Sequence, residues 1–123
     1  MKTLKITTGN KVSIIDIDFD DYMSFNKALG SDIFEVVKTQ KMYNYFEQPM
    51  MICVDEEGLL KRLPINVFGC FLYDTELHGH PICGDIVLAV PIGPDMVAPD
   101  NPEQLLKKLV NDFEYLKEEK KSE

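Results

Sequence analysis

The apolar residues of this chain occur in short runs separated by turn-forming residues, and this spacing limits the chain to a fold built on a sheet. Runs rich in Ile, Val, Leu and Met and bounded by Gly, Asn, Asp or Pro occur at residues 4–6, 12–14, 33–37, 50–54 and 86–90. Short runs of this composition predict strands. Gly9 and Asn10 lie between the first two runs and predict a hairpin.

Two other segments have the periodicity of amphipathic helices. In residues 18–29, Asp18 can serve as the N-cap, and Gly30 fits the position that follows a helix. In the second segment, Asn101 can cap and Pro102 suits the first helical position. The apolar stripe of this C-terminal helix extends to Leu116.

Strands and helices that do not alternate strictly predict an α+β fold. We expect a mixed or antiparallel sheet of about five to six short strands, covered on one face by two helices. Residues 1–116 are predicted to form a single α+β domain, followed by a charged flexible tail at residues 117–123. Residues 59–63 are predicted to pair with the 50–54 strand and residues 75–81 to form a loop, whereas 38–49 and 64–73 stay ambiguous.

The net charge of −8 bears on which partners the chain can bind. An acidic surface repels phosphate backbones, so we expect no direct nucleic-acid binding. The charge either keeps the protein soluble or presents carboxylates to a basic partner. No run approaches the roughly 18 apolar residues of a membrane span, and the three cysteines include no CxxC pair. These features predict a cytoplasmic protein without membrane contact.

The sequence contains few features of catalysis or metal binding. It lacks a GxSxG motif and a glycine-rich phosphate loop. His78 and His80 lie near Cys83 and Asp85, but they lack the paired spacing typical of zinc sites. We therefore predict no catalytic residue, metal or cofactor. An enzyme that uses His80 and Cys83 as base and nucleophile ranks last among three functional hypotheses.

Two motifs carry a family resemblance. The segments VDEEGLLKRLPIN, residues 54–66, and PICGDIVLAV, residues 81–90, resemble the uncharacterised bacterial and phage family DUF3846, a domain of unknown function. The matching residues are Glu56, Glu57, Gly58, Leu63, Pro64, Asn66, Tyr73, Ile82, Gly84 and Asp85. The resemblance implies no activity, but it implies an accessory role in phages, plasmids or conjugative elements, whose small proteins often counter host defences. Residues 67–73 are apolar, where the family is often more basic, which argues against an anion site there.

The segment around Pro64 gives the first functional hypothesis. Arg62 is the only arginine, and its planar guanidinium suits bidentate binding of phosphate or carboxylate. Asn66 either caps the next element or anchors a ligand. The predicted ligand-binding residues, which combine positive charge, hydrogen-bonding capacity and aromatic rings, are Arg62, Asn66, His78, His80, Tyr43, Tyr45 and Lys61. They would sequester a small anionic, nucleotide-like signal in a pocket shared between subunits of a homo-oligomer.

The second hypothesis uses the acidic residues near the first predicted helix. Asp16, Asp18, Asp20 and Asp21 form a local cluster whose simplest role is to cap that helix. Alternatively, these carboxylates would face the lysines and arginines of a host defence enzyme or nuclease. In that case the protein would be an inhibitor that binds its target directly.

Overall fold

The computed structural model describes residues 1–119, which form a mixed sheet with helices on both faces. The strands are β1 (Lys2–Ile6), β2 (Lys11–Asp16), β3 (Phe34–Val37), β4 (Met51–Asp55), β5 (Ile86–Ile92), β6 (Asp95–Val97) and β7 (Lys117–Glu118). The helices are α1 (Tyr22–Leu29), α2 (Gln40–Phe46), α3 (Val67–Tyr73), α4 (Thr75–His78) and α5 (Pro102–Asp112). The predicted α+β class is therefore confirmed.

The strands follow the order β3-β4-β5-β1-β2-β7, and β6 pairs with the end of β5. Neighbouring strands are antiparallel except β2 and β7, which are parallel. The predicted hairpin at Gly9–Asn10 joins β1 to β2, and Asn10 adopts a left-handed φ of 63° there. β3 lies at one edge of the sheet, and this position matters for the site described below.

Helices cover both faces of the sheet, so the expectation of one covered face is wrong. Ile52 and Val54 of β4 pack with α2, α3 and α5 on what we call the closed face. Met51 and Cys53 of the same strand pack with α1 on what we call the open face. Every residue of β4 is buried. Residues 51–54 of this strand are all apolar, and such a run does not show from the sequence alone that two layers cover it.

The first helix begins later than predicted, because Asp21 and not Asp18 makes the capping bond. Asp21 caps α1 by accepting from the backbone N–H of Met23 at 3.0 Å, so the helix begins at Tyr22. Asp18 instead accepts from the backbone N–H of Asp20 in the preceding turn. Gly30 ends α1 in a left-handed conformation, as predicted.

The C-terminal segment continues the domain beyond its predicted end. Helix α5 begins at Pro102, as expected, but ends at Asp112. Leu116 is buried outside the helix, and β7 then pairs with β2. Residues 117–119 are therefore part of the sheet and not of a flexible tail, while residues 120–123 lie outside the described part.

The remaining segments form short helices and a turn. The ambiguous residues 38–49 and 64–73 contain α2, capped by Thr39, and α3, capped by Asn66. Residues 59–63 do not pair with β4 but close a turn, in which the backbone N–H of Leu63 donates to the carbonyl of Gly58 at 3.0 Å. The predicted loop at 75–81 begins with the single helical turn α4.

Candidate functional site

Asn66 lies at a junction between β1, α3 and the chain entering β5. Its side chain is 0% exposed. Its Nδ2 donates to the carbonyl oxygens of Ile6 and Gly84, both at 3.0 Å, and its Oδ1 accepts from the backbone N–H of Gly69 at 2.8 Å. The amide is thus occupied by backbone partners. The capping alternative is confirmed, and no polar atom of Asn66 is left for a ligand.

Four of the residues that carry the family resemblance lie at this same junction, together with Cys83. We call it the Asn66 junction, and it comprises Gly58, Leu63, Asn66, Cys83 and Gly84. A Cβ on Gly58 would lie 2.4 Å from the carbonyl oxygen of Cys83, so only glycine permits this approach. Gly84 has a φ of 98°, and its N–H donates to the carbonyl of Pro64 at 2.8 Å. The motifs therefore encode a packing arrangement.

The two cations predicted to bind an anion flank the turn before this junction. The Nζ of Lys61 donates to Oδ2 of the buried Asp55 at 2.9 Å, and this bond raises the pKa of Lys61. Arg62 is exposed and holds a left-handed φ of 56°. Neither residue lines the groove on the open face that is described below.

Both histidines contact Tyr73 on the exposed end of α3 and α4. The ring of His78 stacks on Tyr73 at a centroid distance of 4.7 Å, and Nε2 of His80 lies 2.9 Å from the Tyr73 hydroxyl. Cys83 is buried, and burial raises its pKa, which disfavours the reactive thiolate. His80 and Cys83 share no hydrogen bond among the described residues. Within residues 1–119, no group of three or more His, Cys, Asp or Glu is arranged to hold a metal ion.

The two tyrosines predicted to stack on a ligand have different environments. Tyr43 is exposed on α2 and lies near Pro49 and Met50, at the start of β4. Tyr45 packs edge-on against Phe46, and its hydroxyl donates to Oδ2 of Asp112 at 2.8 Å. Burial and that bond raise the pKa of Tyr45. Tyr43 precedes β4 in the chain and the Lys61 turn follows it, so the two lie beyond opposite ends of that strand.

The acidic cluster mainly serves local structure. Oδ1 of Asp16 accepts from the N-terminal ammonium of Met1 at 2.7 Å. Asp18 and Asp21 make the capping bonds described above. All four carboxylates, including that of Asp20, also remain exposed to solvent, where a partner could reach them.

A groove of about 680 Å³ lies on the open face, and the sequence analysis did not predict it. Its floor is formed by Phe34 and Val36 of β3, Met51 of β4 and Met96 of β6. Its two walls are α1 and the turn between β5 and β6. The rim carries few polar side chains, which are Tyr22, Asn26, Lys38 and Asp95.

The groove is apolar and open at the β3 edge. Tyr22 is 54% exposed and meets the ring of Phe34 edge-on at 5.9 Å, while Ile33 and Val36 are 51% and 44% exposed. Asn26, whose Oδ1 accepts from Ser31 at 2.9 Å, is the one polar residue in the predicted stripe of α1.

The comparisons with known proteins bear on the family alone. The model of the family described as Domain of unknown function (DUF3846) matches residues 1–113. Searches of the curated proteins and of the solved structures gave no significant match. Among residues 1–119, no helix is both long enough and apolar enough to cross a membrane. Because the family model spans most of the chain, this protein belongs to the DUF3846 family.

Proposed function

We propose that this protein is a non-catalytic binding protein that captures an apolar segment of a partner protein in the groove on the open face. The observation that carries the proposal is the exposed apolar floor of a 680 Å³ groove. Exposed apolar patches with a polar rim mark interaction sites, because covering such a patch with a partner removes apolar surface from water, which is favourable. Part of the floor is packed, because the ring of Phe34 stacks on that of the buried Phe25 at a centroid distance of 5.2 Å.

The charge of the protein indicates the chemistry of the partner. The net charge is −8, and Asp95 is exposed on a wall of the groove. Asp32, next to Ile33, and Glu35, on the other side of β3, are exposed as well. Among residues 1–119, Lys38 is the one cation that lines the groove. Such a surface favours a partner that carries Lys or Arg next to its apolar residues. This fits the inhibitor hypothesis, in which the partner is a basic host defence enzyme or nuclease.

The family resemblance suggests the setting of this function. We place the protein among the accessory proteins of phages and mobile elements, acting in the host cytoplasm. The three cysteines are free, as expected of a reducing compartment. The buried Cys83, with its raised pKa, supports a binding role over a nucleophilic one.

A second candidate is capture of a nucleotide-like anion in the same groove. Its volume lies within the range of small-molecule sites, about 300–1,000 Å³. Tyr22 offers an exposed ring for a base, and Lys38 offers a charge for a phosphate. Asp95 opposes this candidate, because its carboxylate repels an anion on the same rim.

The experiment compares the wild type with Val36→Asp, which places a charge on the groove floor, and with Leu60→Asp. Leu60 is 80% exposed on the 56–62 turn, does not line the groove and serves as the matched control. Each variant is used for affinity purification from a bacterial host lysate, and any retained protein is purified and titrated by calorimetry. Binding by the wild type and Leu60→Asp that Val36→Asp loses supports the proposal. Equal binding by all three, or none, contradicts it.

The second candidate is tested on the same samples. The purified protein is denatured, and the released small molecules are identified by mass spectrometry. A nucleotide released from the wild type but not from Lys38→Ala would support anion capture and overturn the partner-protein proposal. Absence of any released nucleotide, together with no heat on titration with nucleoside mono- and diphosphates, would remove this candidate.

A further inference from the structure

We infer that the partner binds as an added strand: an extended segment that alternates apolar residues with Lys or Arg pairs with the free edge of β3 and places its apolar side chains in the groove. This inference rests on the proposed function and specifies the partner's conformation. It is carried by the position of β3, the direction of its backbone groups and the charge around it.

β3 has an unpaired side. It is the terminal strand of the sheet and pairs only with β4 among the strands of residues 1–119. The carbonyl of Ile33 accepts from the backbone N–H of Glu56 at 3.1 Å, so Ile33 faces β4. In an antiparallel pair the bonded residues alternate, so Glu35 and Val37 also face β4. The N–H and C=O groups of Phe34 and Val36 therefore point away from the sheet.

The same two residues connect the edge to the groove. Val36 lies opposite Cys53, whose side chain packs on the open face, so the side chains of Phe34 and Val36 lie on that face too. A strand hydrogen-bonded to Phe34 and Val36 would align every second side chain with the apolar floor. Main-chain bonds would supply affinity, and the groove would select the apolar residues, as in other cases of strand addition.

The charges around β3 determine which strand fits. Glu35 is exposed on the side of β3 opposite the groove, with Asp32 just before the strand. Opposite charges directly across two strands stabilise the pair, and like charges destabilise it. A second copy of this chain centred on Glu35 would bring two Glu35 carboxylates together, and each copy carries a charge of −8. A basic segment from another protein fits better.

The experiment selects binders to the intact protein from random ten-residue peptides displayed on yeast. Enriched peptides are synthesised and titrated by fluorescence polarisation. We expect a two-residue apolar period with Lys or Arg at the other positions. Each peptide is also made in two N-methylated forms. One form is methylated at every odd-numbered backbone nitrogen and the other at every even-numbered one, and we call these the two phases. One phase should lose about tenfold or more in affinity, because it loses two or more hydrogen bonds to β3, and the other phase should not.

Charge is tested with Glu35→Lys and with Glu103→Lys, a matched control on the exposed start of α5. The first should weaken binding of the selected peptides and the second should not. Equal weakening, or enrichment of acidic peptides, would overturn the charge assignment and with it this inference.

The outcomes separate this inference from the proposed function. One outcome would overturn strand addition but leave the groove a binding site. In it, the selected peptides have apolar residues at helical spacing, both N-methylated forms lose affinity equally, and Val36→Asp abolishes binding. No enrichment over a selection with Val36→Asp would overturn both. A dimer in sedimentation at micromolar concentration that Val36→Asp dissociates would show that a second copy occupies the edge and would overturn the choice of partner.

Discussion

The two faces of the sheet differ in how completely helices cover their side chains. On the closed face three helices cover the strands, and Asn66 bonds to three backbone groups in the interior. On the open face the single helix α1 leaves Phe34 and Val36 lining a groove. The family motif therefore belongs to the region that holds the fold together. The region with room for a partner carries no motif.

The largest expected effect is on the closed face. Asn66→Ala should lower the free energy of unfolding by about 3–5 kcal/mol, because two carbonyls and one N–H lose their buried partner. Asn101→Ala is the matched control, since Asn101 occupies the N-cap of α5 without a side-chain bond. It should cost less than about 0.5 kcal/mol. Equal costs in urea unfolding would contradict the role of Asn66.

A sharper comparison uses two neighbours on β3. Val37 packs against the core of the closed face, whereas Val36 lies on the floor of the groove. Val37→Asp should cost about 2–3 kcal/mol, because it buries a carboxylate without a partner. Val36→Asp should cost less than about 1 kcal/mol, because its side chain reaches water. Chemical unfolding measures both variants, and a larger cost at Val36 would show that the groove is closed in solution.

The sequence predicted the parts of the fold that depend on local pattern. The hairpin at Gly9–Asn10, the left-handed Gly30 and the start of α5 at Pro102 each follow from residue chemistry within a few positions. Helices α2 and α3 were ambiguous because their caps, Thr39 and Asn66, bond across the fold as well as to their own helix.

The candidate site was less predictable, because it depends on which faces meet. Arg62 attracted attention as the only arginine, but its position at the end of a turn points it into solvent. The groove joins residues from α1, β3, β4 and the β5–β6 turn. These are ordinary apolar residues, and no spacing along the chain shows that their strand forms an edge.

Gly58 tests whether the motif around the Asn66 junction is steric. Gly58→Ala should cost about 1–3 kcal/mol, because its Cβ would displace the backbone carbonyl of Cys83. Gly9→Ala is the control, since its nearest neighbour, Oγ1 of Thr7, lies at an ordinary 3.7 Å. Thermal unfolding of both variants measures the difference. If Gly58→Ala lost no more stability than Gly9→Ala, close packing at the Asn66 junction would not explain the motif.

The smallest expected effect lies at the rim of the closed face and depends on pH. The hydrogen bond from the Tyr45 hydroxyl lowers the pKa of Asp112 below its usual value in the folded state, and the hydrogen bond from Lys108 lowers it further. A lowered folded pKa gives stability that is complete above the unfolded pKa and disappears as the pH falls through the folded value. Tyr45→Phe should therefore be slightly less stable than the wild type at pH 7.

This difference should vanish in acid, once Asp112 is protonated in both proteins. Unfolding by urea at pH 7 and at about pH 2 measures the difference, and a carboxyl NMR titration should show a higher pKa for Asp112 in Tyr45→Phe. Lys108→Met is the companion variant, because it removes the other partner, whose Nζ lies 3.3 Å from Asp112. If Tyr45→Phe left the pKa of Asp112 unchanged while Lys108→Met raised it, the ion pair within α5 would set that pKa, and the phenol bond between α2 and α5 would contribute little.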